Sequence, residues 1–127
     1  MIEAVLDSSA VLAHVFGEPG GDESVSRFAD GVVSAVNLTE IVTRLVDAGW
    51  TDVAIDAEQQ TWAFAVEPFD VSLAIDAGGL RRATRHRGLS LGDRACLALA
   101  RRLGVPVYTA DRSWGDLDVG VDIRVVR

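Results

Sequence analysis

The feature that most constrains the fold is a repeated alternation along the chain. Short, almost purely apolar runs give way to longer segments with apolar residues at helical spacing. Ile2–Leu6 reads as a buried strand and Ala10–Phe16 as a helix. Pro19-Gly20-Gly21 breaks the chain, Asp22–Ala29 reads as a helix, and Val32-Val33-Ser34 as a second strand. Asn37–Ala48 carries Leu38, Ile41, Val42, Leu45 and Val46 at helical intervals and stops at Gly49. Thr51 or Asp52 caps a further helix running to about Phe64, and Val66–Phe69 is a weak strand. Asp70 opens a helix that extends to Arg87, Ser90 opens one to Leu103, and Val105–Thr109 and Ile123–Val126 are the last strands. Runs apolar on both faces, joined by helices, predict a three-layer α/β/α fold with a short, mainly parallel central sheet, as a single domain over residues 1–127. In such sheets ligands sit at the carboxyl ends of the strands.

Charge and composition narrow the function. The formal net charge is −7, against a broad electrostatic grip on nucleic acid. All 12 Lys and Arg residues are arginines, which removes any chemistry that needs a lysine nucleophile, base or phosphate-loop cation. Cys96, the single cysteine, lies in an apolar helical run and reads as a buried thiol. Asp7 interrupts the first apolar run before it reaches the length of a signal-peptide core, and no window approaches a membrane span, so a cytoplasmic protein with no membrane association is expected.

Four carboxylates then stand out by position. Asp7 and Asp111 follow strands directly, and Glu40 and Asp93 fall in the first turn of helices that follow strand ends. Each has an ordinary structural explanation: Asp7 as a helix cap, Glu40 and Asp93 as first-turn acids three residues after Asn37 and Ser90, and Asp111 as the cap of the turn through Trp114. As a set they converge on one rim of the sheet. Clustered carboxylates stay ionised together only with a cation among them, and an all-oxygen set suits Mg²⁺ or Mn²⁺. Such a site activates water against a phosphodiester, with one ion or with two about 3.5–4 Å apart.

The pieces Val5-Leu6-Asp7-Ser8-Ser9-Ala10, Ser34-Ala35-Val36-Asn37-Leu38-Thr39-Glu40, Leu89-Ser90-Leu91-Gly92-Asp93-Arg94-Ala95-Cys96-Leu97-Ala98-Leu99-Ala100 and Thr109-Ala110-Asp111-Arg112 resemble, in order and spacing, the PIN-domain family, and within it the VapC toxins. That resemblance implies a metal-dependent endoribonuclease, a homodimer, and a small cognate antitoxin. By position it makes Asp7, Glu40, Asp93 and Asp111 the catalytic, metal-binding acids, with Ser9 and Thr109 in support. Many relatives have a further acid or Asn where this chain has Ser113; Asp116 is the substitute within reach in sequence. Arg112, beside Asp111, and Arg94, beside Asp93, are the candidate RNA-contacting residues. The arginines Arg81, Arg82, Arg85 and Arg87 read either as a solvated helix end or as a phosphate-contacting edge. His14 and His86 are not expected to bind metal. Trp50, Trp62 and Trp114 are explained by core packing or antitoxin contact at least as well as by base stacking. An antitoxin arginine is a natural occupant for so acidic a site.

Three other classes share part of this pattern. A receiver-like domain needs a lysine and an Asp where Ser34 or Phe69 stands. A phosphatase of the haloacid-dehalogenase type needs an acid at position 9, which is serine. A catalytically inactive PIN-like protein- or RNA-binding module is the remaining alternative.

Overall fold

A computed structural model describes all residues, Met1–Arg127. Five strands form one parallel sheet: β1 (Ala4–Leu6), β2 (Gly31–Ser34), β3 (Ala65–Glu67), β4 (Val107–Thr109) and β5 (Ile123–Val125), in the order β3-β2-β1-β4-β5. The helices are α1 (Ser8–Val15), α2 (Gly21–Val25), α3 (Ala35–Asp47), α4 (Asp52–Gln59), α5 (Val71–Gly79), α6 (Arg81–Thr84) and α7 (Leu91–Leu103). Central β1 pairs through Val5 with Val32 on one side and Val107 on the other.

Because successive side chains in a strand point to opposite faces, these brief strands separate two cores. Ala4, Leu6, Val33 and Tyr108 face one core, with Val11 and Leu12 of α1, Ile41 and Leu45 of α3, Phe28 and Phe64. Val5, Val32 and Val107 face the other, with Leu73 and Ala77 of α5, Cys96, Leu97 and Leu99 of α7, and Trp114. The expected three-layer α/β/α arrangement with its parallel sheet is what the chain adopts. Cys96 is fully buried, and burial, followed by the charges of Asp7, Asp93 and Glu40, holds its thiol well above the usual range.

Some boundaries differ from the sequence expectation. The helix read from Asp70 to Arg87 is two helices and a 3₁₀ turn. α5 stops after Gly78-Gly79, α6 follows, and Arg85–Arg87 forms the turn that ends at Gly88 with φ of 64°. Two adjacent glycines weaken a helix by about 1 kcal/mol each, enough to let tertiary contacts break it. α4 ends at Gln59, releasing Trp62 and Phe64 to stack at 5.3 Å over the core. α3 begins at Ala35, with Ser34 Oγ capping it by accepting from Val36 N–H. Glu40 is therefore in the second helical turn rather than the first, and Asn37 is inside the helix rather than its cap.

Candidate metal centre

The sheet ladder continues one residue beyond β1, because Asp7 N–H donates to the Tyr108 carbonyl at 3.0 Å. That bond fixes Asp7 at the carboxyl edge, at the cap position of α1, yet its side chain makes no capping hydrogen bond. Its Oδ2 instead accepts from Ser9 Oγ (2.6 Å) and Thr109 Oγ1 (2.8 Å). Ser9 Oγ in turn accepts from Ala110 N–H, and Thr109 Oγ1 from Asp111 N–H, so two hydroxyls tie Asp7 to the end of β4. Asp7 is 4% exposed. Burial, reinforced by Asp93 and Glu40 and opposed by the two hydroxyls, raises its carboxyl to about 6.

Glu40 is held from a different direction. Ser8 Oγ donates to its Oε1 at 2.7 Å and Asn37 Nδ2 at 2.8 Å. Fully buried Asn37 also reaches Ser8 Oγ and the Gly92 carbonyl, stitching α3 to the start of α7. Asp93 has both its structural and its site role: it completes a capping box, its Oδ2 accepting from Ser90 N–H while Ser90 Oγ accepts from Asp93 N–H. Burial, with Glu40 and Asp111 adding, raises its carboxyl above the ordinary range. Asp111 is exposed, and its Oδ1 accepts from Ser113 N–H and Ser113 Oγ, so Ser113 fastens the acid instead of contributing another.

Asp7, Glu40, Asp93 and Asp111 line one cleft of about 400 Å³, together with Ser8, Ser9, Leu12, Thr39, Thr43 and Arg44. Each carboxylate has one oxygen engaged by protein donors and the other free of them. No three His, Cys, Asp or Glu side chains are drawn tightly enough together to form a closed cage. The acids rest instead on hydroxyls, an amide and backbone N–H groups. The donor set itself, all oxygen and strongly acidic, fits a hard divalent ion and no soft one.

The remaining expected residues lie elsewhere. Asp116 is highly exposed, pairs with Arg87 at 2.9 Å and does not line the cleft, because the 3₁₀ turn Arg112–Asp116 carries it away. Arg94 points to α5, where its Nη1 donates to the Ala77 carbonyl at 3.0 Å; one step along a helix rotates a side chain about 100° from the face that Asp93 uses. Arg112 is exposed in a shallow depression beside the cleft, with Ser9, Asp111 and Arg127. Arg87 Nη2 also donates to the Ser113 carbonyl, so one member of the arginine group clasps the Asp111 turn. His14 packs edge-on against Phe28, and neither histidine lines the cleft. Trp114 is fully buried, and Trp50 and Trp62 pack on the core. Ser8, Asn37, Gly92 and Arg44 were missed by the sequence reading. The signal for Asn37 was its position one helical turn before Glu40.

In sequence, residues 4–120 match the PIN domain family. The chain belongs to that family. No curated protein matches it in sequence. Among solved structures, this PIN domain is similar to DNA-bound VapBC from Salmonella typhimurium, with a TM-score of 0.76 and 16% identity over 100% of both chains. It is similar to VapBC-5 from Mycobacterium tuberculosis, with a TM-score of 0.66 and 22% identity over 100% of this chain and 99% of that one. It is also similar to the Mycobacterium tuberculosis toxin VapC20, described as cleaving the sarcin–ricin loop, with a TM-score of 0.73 and 20% identity over 94% and 99% of the chains. At these identities the likeness is one of fold. No helix of this PIN domain is long and apolar enough to cross a membrane.

Proposed function

We propose that this PIN domain is a divalent-metal-dependent endoribonuclease that acts as the toxin of a toxin–antitoxin pair. The observation that carries the reading is the cleft itself, where Asp7, Glu40, Asp93 and Asp111 each present one oxygen free of protein donors. When bound, Mg²⁺ or Mn²⁺, as one ion or two, supplies Lewis acidity to the phosphodiester and activates water for in-line attack. The chain's own groups do the rest. Ser9 and Thr109 orient Asp7, while Ser8 and Asn37 orient Glu40. The acids that would hold the ion take up the proton that the attacking water loses. The products of that attack carry 5′-phosphate and 3′-hydroxyl ends.

RNA as substrate, a cognate antitoxin and a homodimer extend the reading to partners. The first is supported by the structural neighbour that cleaves the sarcin–ricin loop, and the second by neighbours that are VapBC complexes. The homodimer rests on the resemblance to VapC toxins, and light scattering of the purified protein tests it.

The deciding experiment incubates purified protein with total RNA in Mg²⁺, Mn²⁺ or EDTA, beside Asp93→Asn, and maps the cut ends. Asn at this position can still accept from Ser90 N–H, so the helix cap survives. Discrete cuts that need metal and vanish in the folded variant support the reading. Folded wild-type protein that cuts no RNA pool supports the binding-module alternative.

A further inference from the structure

The nuclease reading leaves one problem open: a polyanion must enter a cleft lined by four carboxylates, on a protein of net charge −7. A single cationic side chain lines that cleft, Arg44 of α3. It lies one helical turn after Glu40, and residues four apart share a helix face, which turns Arg44 and Glu40 the same way. Thr39 and Thr43 line the cleft with it, their hydroxyls donating to the Ala35 and Thr39 carbonyls. Arg44 is exposed and makes no ion pair, although Glu40 is its neighbour along the helix. Five other arginines (Arg27, Arg87, Arg102, Arg124 and Arg127) do pair with acids. Arg44 is therefore not consumed in neutralising the carboxylates by contact, and its guanidinium is available to an outside anion.

The other rim of the cleft has a counterpart. The depression that holds Arg112 shares Ser9 and Asp111 with the cleft, so the two hollows adjoin at these residues. Arg112 is likewise exposed and unpaired. Arg127, in the same depression, reaches Glu18 only at 3.8 Å. Guanidinium groups bind phosphate through two parallel N–H donors, and such contacts position a strand without reading its bases.

We propose that Arg44 is a substrate-binding residue that holds a backbone phosphate on the α3 side of the carboxylates, opposite Arg112, so that one RNA strand lies across the acidic cleft from Arg44 to Arg112. This rests on the nuclease reading for its substrate. The strand's negative charge is met at both rims by arginine, and the acids between them are left to the reacting phosphate.

The test compares Arg44→Gln, Arg112→Gln and the double variant with Arg101→Gln, which removes the same charge from an exposed position in a separate depression near the end of α7. Cleavage of total RNA at low substrate is followed at each mapped site between about 50 and 200 mM salt. Arg44→Gln should slow every site to a similar degree and lower the slope of log rate against log salt by about 0.7, the value for one phosphate contact on a single strand. The double variant should lose about twice that, and Arg101→Gln none. A slope for Arg44→Gln equal to that of Arg101→Gln overturns the proposal while leaving the nuclease intact. Binding of labelled single-stranded RNA is measured in parallel on an Asp93→Asn background. An Arg44-dependent salt slope there, together with folded wild-type protein that cuts no RNA pool, would keep the two-sided grip and overturn the nuclease.

Discussion

The carboxylate of Glu40 fills the space that a side chain at Gly92 would take: a β-carbon built on Gly92 runs into the Glu40 carboxyl group. Gly92 lies inside α7 with ordinary helical backbone, so its small size serves the neighbour and not a turn. Asn37 secures the junction by donating to both Glu40 Oε1 and the Gly92 carbonyl.

Gly92→Ala separates stability from activity. Alanine favours a helix by about 1 kcal/mol over glycine, and the displaced group is the flexible end of a side chain, so the urea midpoint should change little. Metal-dependent cleavage should fall about ten-fold or more, because Glu40 is pushed off its donors. Unchanged cleavage would mean that the position of Glu40 does not matter to the chemistry.

Asn37→Ala should add a cost in stability to the disturbance of Glu40. It strips donors from the buried Gly92 carbonyl and from Glu40, and unmade buried hydrogen bonds cost about 1–3 kcal/mol in total. Urea unfolding at neutral pH measures the loss, and a change well under that range would show that water replaces the amide.

The pH dependence follows from Asp7. Its folded carboxyl, raised to about 6 from 3.8, binds its proton more tightly than in the unfolded chain. Metal-free protein is therefore favoured at pH below the unfolded value, and that stability is lost as pH rises from about 4 through about 6, by roughly 3 kcal/mol at most. Asp7→Asn should flatten this window and stabilise the metal-free protein above it. Mg²⁺ should in turn raise Tm more at pH 7.5 than at pH 5, where protonated carboxyls compete with it. Thermal scans at the two pH values, with Mg²⁺ or with EDTA, read all of these changes.

Arg87→Ala should release the turn that carries Asp111 by removing the donor to the Ser113 carbonyl and the partner of Asp116. Asp116 is exposed and Arg87 only half-buried, so global stability should fall by no more than about 1 kcal/mol. Hydrogen exchange at the Trp114 and Leu117 amides, which close this turn, should accelerate. Unaltered exchange would show that buried Trp114 alone holds the segment.

How far the sequence could be read follows from these same residues. The strand–helix alternation and the four acids at strand ends depend on local pattern, and both the parallel sheet and the shared cleft emerge from it. The break between α5 and α6 was invisible because apolar spacing continues through Leu80 across Gly78-Gly79. The start of α3 is hidden because Ser34, still within β2, caps it; a residue that ends a strand and caps a helix gives no separate signal. Arg94 adjoins Asp93 and Asp116 closely follows Asp111 in sequence, but they are turned away by helical rotation and by a 3₁₀ turn. Gly92 and Arg44 become visible only once α3 and α7 are packed together.

The most direct test of the central claim, that Asp7, Glu40, Asp93 and Asp111 form one cation site, needs no RNA. Mn²⁺ is titrated into metal-free protein at neutral pH and the free ion is followed by electron paramagnetic resonance. The wild-type protein should take up at least one equivalent, and Asp7→Asn and Asp93→Asn, each still folded, should bind about ten-fold more weakly or worse. Folded wild-type protein that leaves all Mn²⁺ free, or variants that bind it equally well, would contradict the account.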